Sequence, residues 1–334
     1  MLYLARAGNV QVRHERFGEL TLPDFLLVGA AKSATTSLYH YLGQHPGIHM
    51  TSVKESWFFS FLDNPPRYTS PGVLNDVIYS VEEYVKLFAG ARAGQKLGDA
   101  SPSYLYTHRD SIRNIRSLYP EPYLGSLKVI ISLREPVSRA FSQYWTFRRI
   151  VQEPLAFDAA IEEKVIERRL RDSWNIFYDY IGFGLYYEQV RAYLEAFGSD
   201  RVLVVLYDDI QQDPVRVCQE IFAFIGVDPG FVPDVRSRHN DLTGEPRNKW
   251  LLRVLLSQHP VKRAIAARVK RAIIRLTSET TRKAIENFLR RVFKHRRVEM
   301  APQARAKLMK VFAEDVRRLE TLIGRNLSRW RDNG

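Results

Sequence analysis

The stretch that decides the fold is Asp24 to Leu42, DFLLVGAAKSATTSLYHYL. Its first part, Asp24 to Ala31, is an apolar run ending in small residues, which is typical of a buried parallel strand. A turn rich in serine and threonine follows, and Ser37 to Leu42 then has helical spacing and stops at Gly43. This order favours phosphate binding, because the N–H groups of the turn and the positive end of the helix converge on an anion. The turn consists of Lys32, Ser33, Ala34, Thr35, Thr36 and Ser37.

Further strands and helices follow along the chain. Lys128 to Leu133 and Arg201 to Leu206 are predicted as buried strands. Strands that alternate with helices predict an α/β fold, here a P-loop-like central parallel sheet flanked by helices. Ser60 to Ser80, rich in proline, asparagine and serine, is predicted as a long irregular loop. The helical patterns are Val81 to Phe88, Val137 to Arg149, Tyr186 to Phe197, Asp213 to Ile225 and Ala304 to Ile323.

Charge divides the chain of 334 residues unevenly. The net charge of the chain is +13, whereas residues 246–334 alone contain 24 Lys and Arg and only 7 Asp and Glu. We therefore predict one domain over 1–334, with a core at 20–245 and a helical basic C-terminal region at 246–334. Within that region, Trp250 to Val298 is largely helical in pattern. Two interpretations stay open: helices with a solvated cationic face, or a surface for anionic lipid or an acidic acceptor. Nucleic acid is not expected as a partner, because a basic nucleic-acid-binding fold would not segregate its charge in this way.

Composition also bears on the compartment. The apolar runs are too short to cross a bilayer, and arginines interrupt the N-terminus before any export signal develops. We expect a cytoplasmic protein, with peripheral membrane contact through the basic region as a further hypothesis. The single cysteine, Cys218, excludes an intramolecular disulfide and is predicted to serve packing. His and Cys residues show no metal-ligand spacing, so we expect no metal.

The turn at Lys32 differs from the loop that binds nucleoside triphosphates, G-x-x-x-x-G-K-[ST]. Gly29 is present, but Lys32 comes too early, and Ala31 rather than a glycine stands directly before it. The strand Val129 to Leu133 ends in Arg-Glu rather than in the aspartate that would help to hold magnesium. A phosphate loop without magnesium chemistry is favoured. A nucleotide kinase or NTPase, and a non-catalytic basic membrane- or nucleic-acid-binding protein, remain as alternatives.

Four blocks in order resemble sulfotransferases that use 3′-phosphoadenosine 5′-phosphosulfate (PAPS), especially the heparan-sulfate type and its bacterial branch. GAAKSATTSLYHYLGQHP is similar to the loop that binds the 5′-phosphosulfate in that family. The others are Lys54 to Phe59 (KESWFF), Asp99 to Tyr104 (DASPSY) and Val129 to Tyr144 (VIISLREPVSRAFSQY). Tyr180 to Tyr186 (YIGFGLY) and Asn326 to Trp330 (NLSRW) also resemble the family, so the resemblance spans almost the whole chain. It implies transfer of a sulfuryl group from PAPS to an acceptor hydroxyl or amine, with PAP as product.

The resemblance also implies roles for particular residues. Lys32 would stabilise charge on the oxygen that bridges sulfate and phosphate, and Glu55 would act as the general base. Arg134 and Ser142 would bind the ribose 3′-phosphate, and Arg247 would belong to a loop that closes over PAP. The residues alone support Arg134, because it follows a buried strand end and its planar fork suits a phosphate. A structural ion pair of Arg134 with Glu135 or Asp99 is the alternative.

The acceptor stays open in the sequence. A carbohydrate, a lipid-linked sugar and a small metabolite all fit, and Ala100 stands where several heparan-sulfate enzymes have a lysine. His108 and His239 have suitable chemistry for a base but are more often structural. Trp57, Phe58 and Phe59 are predicted as core residues, with a pocket-lining role as the alternative.

Overall fold

The computed structural model describes residues 11–70, 77–121, 123–150, 152–236 and 299–332. Its centre is a parallel sheet of five strands in the order β4-β5-β3-β6-β7. A separate antiparallel hairpin of β1 and β2 precedes it. The strands are β1 (Gln11–His14), β2 (Gly18–Thr21), β3 (Phe25–Gly29), β4 (Ile48–Met50), β5 (Lys96–Ala100), β6 (Lys128–Leu133) and β7 (Val202–Leu206).

Helices cover both faces of this sheet. Along β3, Leu26 and Val28 join one apolar cluster while Phe25 and Leu27 join another, as alternation along a strand requires. Both faces of the central strand are therefore buried, which explains why its sequence is a continuous apolar run. The described helices are α1 (Thr35–Leu42), α2 (Phe58–Phe61), α3 (Val81–Lys86), α4 (Ser103–Tyr106), α5 (His108–Leu118), α6 (Pro136–Arg149), α7 (Phe157–Ala160), α8 (Glu163–Arg171), α9 (Tyr186–Phe197), α10 (Tyr207–Gln212), α11 (Pro214–Ile225), α12 (Pro302–Ile323) and α13 (Arg329–Asp332).

The predicted fold class is confirmed, and the three predicted strands are β3, β6 and β7. Sequence patterns did not indicate β4 and β5. The first has only three residues, and the second, KLGDA, carries the glycine and the charges of a turn. Gly98 within β5 is required by packing, because a Cβ atom there would lie 2.3 Å from Cζ of Phe25. A glycine in this strand marks close approach of a neighbouring ring rather than a turn.

Several further predictions concern the ends of the chain and its long loop. The start of the predicted loop at Ser60 lies inside the short helix α2, and the other described residues up to Ser80 are irregular. The predicted final helix is confirmed as α12, which packs against α6 and α9. Trp250 to Val298 and the predicted boundary at residue 245 lie outside the described residues, so the domain division stays a prediction. Cys218 is fully buried in α11 among apolar side chains, in agreement with a packing role.

In the described ranges, none of the helices combines the length and the apolar character that a transmembrane span needs.

Candidate active site

The turn between β3 and α1 takes a shape that places its main chain around one side of a cavity. Lys32 and Ala34 both have left-handed backbone angles, with φ of 70° and 64°. Such a conformation costs about 1 kcal/mol or more for a residue with a Cβ atom, so other contacts must stabilise the turn. The hydroxyl of Ser132 in β6 donates to the carbonyl oxygen of Ser33, whose own side chain is fully buried. The neighbouring strand therefore holds the turn in place.

Arg134 follows directly after β6 and is fixed by three groups. Its Nη1 donates to the carbonyl oxygen of Lys32 at 3.2 Å, and its guanidinium lies 4.4 Å from the ring centre of Tyr207. The hydroxyl of Tyr186 donates to the carbonyl oxygen of Arg134 at 3.0 Å. Side chain and main chain of Arg134 are thus both oriented before any ligand arrives.

The acids that might have paired with Arg134 have other partners. Glu135 accepts from the N–H groups of Val137 and Ser138 and so caps the N-terminus of α6. Asp99 is fully buried and accepts from the hydroxyls of Tyr84 and Tyr104 at 2.9 and 2.7 Å. Burial raises the pKa of the Asp99 carboxyl, although these hydrogen bonds oppose the shift. Among the described residues, neither acid forms an ion pair with Arg134, so the structural alternative for this arginine is not supported.

One cavity of about 720 Å³ brings most of the predicted site residues together. Residues after the strand ends of the sheet, the first turn of α1 and the C-terminal half of α6 form its walls, at the carboxyl edge of the parallel sheet where ligands are expected. Ser33, in the same turn, is fully buried and is not among the residues that line the cavity, and Arg247 and His239 lie outside the described residues. The predicted residues that line the cavity are Lys32, Ala34, Thr35, Thr36, Ser37, Glu55, Arg134 and Ser142.

The electrostatic environment of Lys32 is unusual. Burial lowers the pKa of its amine to about 8, and the nearby cations Arg149, Arg134 and Lys54 act in the same direction while Glu55 opposes them. The positive charges around Lys32 repel its protonated amine. An anionic ligand reduces this repulsion, so the cluster of cations favours binding of an anion. At neutral pH Lys32 still carries its charge.

Glu55 reaches the cavity from the segment after β4. Its backbone also has a left-handed φ of 63°, and its N–H donates to the carbonyl oxygen of Ala100 at 3.0 Å. The side chain is 38% exposed, and Lys54 donates a hydrogen bond to its carboxylate. A carboxylate and Lys32 therefore share one cavity, and Coulombic attraction between them partly offsets the lowering of the pKa of Lys32 by burial.

Aromatic side chains also line the cavity, and most of them were missed in the sequence. The rings of Trp57 and Phe177 lie 4.7 Å apart, and Phe147 and Arg149 extend the wall from the end of α6. Phe58 and Phe59 are core residues as predicted, but Trp57 is buried and also lines the cavity. Arg149 lies seven residues beyond Ser142 on one predicted helix, which places both on the same face, so this spacing was a usable signal for Arg149.

His108 lines a different cavity, of about 680 Å³, together with Tyr106, Gln189 and Asp315. Burial lowers the pKa of its imidazole. Its Nδ1 lies 3.3 Å from the carbonyl oxygen of Tyr106. The position of His108 does not support a role as base in the cavity of Lys32.

Comparison with known proteins agrees with this geometry. The family described as sulfotransferase domain matches residues 22–238. The crystal structure of a sulfotransferase from Alicyclobacillus acidocaldarius is 32% identical, covers 93% of this chain and 100% of that one, and superposes with a TM-score of 0.70.

Curated relatives match over shorter stretches. The membrane-associated sulfotransferase kil1 of Dictyostelium discoideum is 34% identical over 164 residues, 46% of this chain and 30% of that protein. Human heparan sulfate glucosamine 3-O-sulfotransferase 5 is 24% identical over 69% of this chain and 61% of its own length. The chain thus spans less than two thirds of each of these two curated relatives.

The fold and the cavity define an α/β protein with a cation-lined cavity at the carboxyl edge of a parallel sheet. Within that class, the chain belongs to the sulfotransferase family.

Proposed function

We propose that this protein transfers a sulfuryl group from PAPS to a hydroxyl or amine of an acceptor and releases PAP. The observation that carries the proposal is the single cavity that the turn at Lys32, the cation of Arg134, the hydroxyl of Ser142 and the carboxylate of Glu55 all line. A donor with phosphates on both sides of its ribose needs two anion sites, and this cavity offers one at each of two neighbouring strand ends.

The donor is proposed to bind in two parts. The turn, with the hydroxyls of Thr35, Thr36 and Ser37, receives the 5′-phosphosulfate at the N-terminal end of α1. Arg134 and Ser142 receive the 3′-phosphate, for which the fork of a guanidinium gives two parallel hydrogen bonds. Arg247, outside the described residues, stays a proposed further donor residue.

The reaction is an in-line displacement at sulfur. The acceptor oxygen or nitrogen forms a bond to sulfur while the bond between sulfur and the bridging oxygen breaks, and PAP leaves with that electron pair. Lys32 stabilises the negative charge that develops on the bridging oxygen, and the acceptor proton passes to Glu55. Most of the rate enhancement then comes from positioning and charge stabilisation, as in phosphoryl transfer.

The acceptor is proposed to lie against Trp57, Phe147 and Phe177. Flat aromatic faces next to the polar groups of Gln152 and Asn175 suit a carbohydrate, a lipid-linked sugar or a small metabolite. A cytoplasmic location with peripheral membrane contact through residues 246–334 is part of the same proposal. Its support is the density of basic residues there and the likeness to a relative named as membrane-associated.

Calorimetry tests the donor. We expect PAP to bind with micromolar affinity without magnesium, and Lys32→Ala to lose that binding. Lys86→Ala, at an exposed position of α3, is the matched control and should bind normally. Tight binding of magnesium ATP together with undetectable binding of PAP would replace the proposal by the kinase or NTPase alternative.

Transfer of radiolabelled sulfate from PAPS into a fractionated extract of the source organism tests the acceptor. Label in a discrete product, absent with Lys32→Ala, supports transferase activity and identifies the acceptor class. PAP binding without any label transfer would favour a binding protein over an enzyme.

A further inference from the structure

We propose that Asp315, near the C-terminus, is a positioning residue of the donor site, and that it acts through Tyr186 on Arg134. The inference rests on the proposed donor site and adds a residue that belongs to none of the four sequence blocks.

The first step is the contact between α12 and α9. Asp315 in α12 accepts the N–H of Tyr186 at Oδ2 over 2.8 Å and the N–H of Tyr187 at Oδ1 over 3.1 Å. These N–H groups belong to the first residues of α9, where a helix leaves its donors without intrahelical partners. The preceding residue, Leu185, has no side-chain acceptor with which to cap them. A carboxylate from 129 residues away along the chain therefore serves as the cap, and its charge also suits the positive end of the helix.

The second step is the side chain of Tyr186. It is fully buried, and its hydroxyl donates to the carbonyl oxygen of Arg134 at 3.0 Å. Burial raises the pKa of this hydroxyl to about 12, so it remains a donor throughout the physiological range. The position of the α9 N-terminus thereby determines where the peptide after β6 lies.

The third step joins Arg134 to the phosphate turn through its hydrogen bond to the carbonyl oxygen of Lys32. Three consecutive interactions therefore run from the carboxylate of Asp315 to Lys32. Each is between groups that are at least half-buried, where hydrogen bonds are geometrically restrictive and costly to break. A guanidinium that binds phosphate with two parallel bonds tolerates little displacement, which makes its backbone anchor relevant to affinity.

Two further contacts link the C-terminal segment to α10. Nε1 of Trp330 donates to Asp208 at 3.2 Å, and Arg325 pairs with Asp209 at 2.7 Å. Both acids lie in α10, directly after Tyr207, whose ring lies against the guanidinium of Arg134. The C-terminal segment thus positions Arg134 through both its main chain and its side chain.

Calorimetry with PAP on purified full-length variants tests the proposal. Asp315→Ala should weaken PAP binding about tenfold, within the usual range for coupling between sites. Asp315→Asn, which keeps an acceptor oxygen, should recover part of the loss. Glu314→Ala is the matched control, because its carboxylate is exposed and pairs with Arg317 on the same helix.

Tyr186→Phe removes only the hydroxyl that contacts Arg134 and should weaken PAP binding to a similar degree. Tyr193→Phe is its control, since that buried hydroxyl of the same helix donates to the carbonyl oxygen of Tyr104 instead. The double variant Asp315→Ala, Tyr186→Phe should have about the same PAP affinity as the single variant that binds PAP less tightly. Both substitutions interrupt the same series of hydrogen bonds, so their effects should not add.

Three outcomes separate the hypotheses. Asp315→Ala and Asp315→Asn proteins that fold, melt at lower temperature and bind PAP like Glu314→Ala would assign Asp315 a purely structural role and overturn the inference. Losses that add in the double variant would break the link through Tyr186. If the unsubstituted protein binds no PAP at all, the proposed function fails rather than this inference about coupling. If Asp315→Ala does not fold, Asp315→Asn and Tyr186→Phe decide between these outcomes.

Discussion

Arg134 and Lys32 are 102 residues apart in sequence, and the guanidinium of the one donates to the main-chain oxygen of the other at 3.2 Å. The residue proposed to bind the 3′-phosphate therefore also fixes the turn proposed to bind the 5′-phosphosulfate. One hydrogen bond therefore connects the two halves of the proposed donor site, and this bond does not involve the donor.

Arg134→Lys should weaken PAP binding by about 30-fold or more, because a lysine cannot form two parallel bonds to a phosphate and at the same time contact the Lys32 carbonyl. Calorimetry measures the effect. Arg191→Lys is the control: Arg191 lies on the surface of α9, where it pairs with Glu188 and Glu195, and this variant should bind PAP like the unsubstituted protein. An affinity of Arg134→Lys within threefold of that control would remove Arg134 from the donor site.

The affinity for PAP should fall as pH rises through about 8. The pKa of Lys32 is lowered to about 8 in the unliganded protein, so above this pH its amine is mostly neutral and an anion must bind together with a proton. Above this pH the affinity for PAP should fall by at most about tenfold per pH unit, because one proton is taken up on binding. The phosphates of PAP have a pKa near 6 and do not contribute to the change in this range. Calorimetry between pH 7 and 9.5 gives the profile.

Lys32→Arg supplies the control for this profile, because a guanidinium stays charged over the whole interval. Its affinity should be independent of pH whatever its absolute value. A flat profile for the unsubstituted protein would show that the charge of Lys32 is not linked to donor binding.

Glu55→Gln should reduce turnover by about 10²-fold to 10⁴-fold while PAP binding changes little, since the amide cannot accept the acceptor proton. Transfer of labelled sulfate to the acceptor fraction measures turnover, and calorimetry measures PAP binding in the same preparation. Turnover retained within a few-fold would assign the proton to another group.

The stability of the fold should depend on a buried ion pair beside the cavity. Arg169 and Glu153 form two hydrogen bonds of 2.8 Å, and their side chains are 3% and 0% exposed. Glu153→Gln should lower the free energy of unfolding by about 3 kcal/mol, because the arginine is left buried without its counterion. Urea unfolding measures the change.

The pair of Glu162 with Lys307 is the matched control for Glu153→Gln. Its side chains are 55% and 40% exposed, and Glu162→Gln should cost less than about 1 kcal/mol. Equal effects of the two substitutions would contradict the assignment of special importance to the buried pair.

Much of the site could be predicted from local sequence, because its key residues follow apolar strands directly. Lys32 and Arg134 each come just after such a strand, and the edge rule for parallel sheets places their side chains together. Arg149 lies seven residues beyond Ser142 on the predicted helix, which places both on one face, so its approach to the cavity could have been predicted, whereas the spacing of five residues to Phe147 gives no such indication. Asp315 was beyond reach, since a helix cap supplied from a distant segment leaves no local pattern at either end.

The sheet shows the same division. β3 and β6 were predicted because strands buried on both faces have continuous apolar sequences. β5 was missed because Gly98 is required by the close approach of the Phe25 ring from a neighbouring strand, a tertiary contact that local sequence does not reveal.

The left-handed turn at Lys32 and Ala34 has a consequence for how the protein folds. Residues with Cβ atoms do not hold this shape on their own, so the turn depends on Ser132 and Arg134, which arrive with a strand formed some hundred residues later in the chain. A glycine-rich anion-binding loop can adopt its conformation locally, whereas the turn at Lys32 adopts its conformation only after the sheet has formed. PAP should accordingly discriminate between native and partly folded chains, and protect the amides of β3 and β6 from hydrogen exchange together rather than separately.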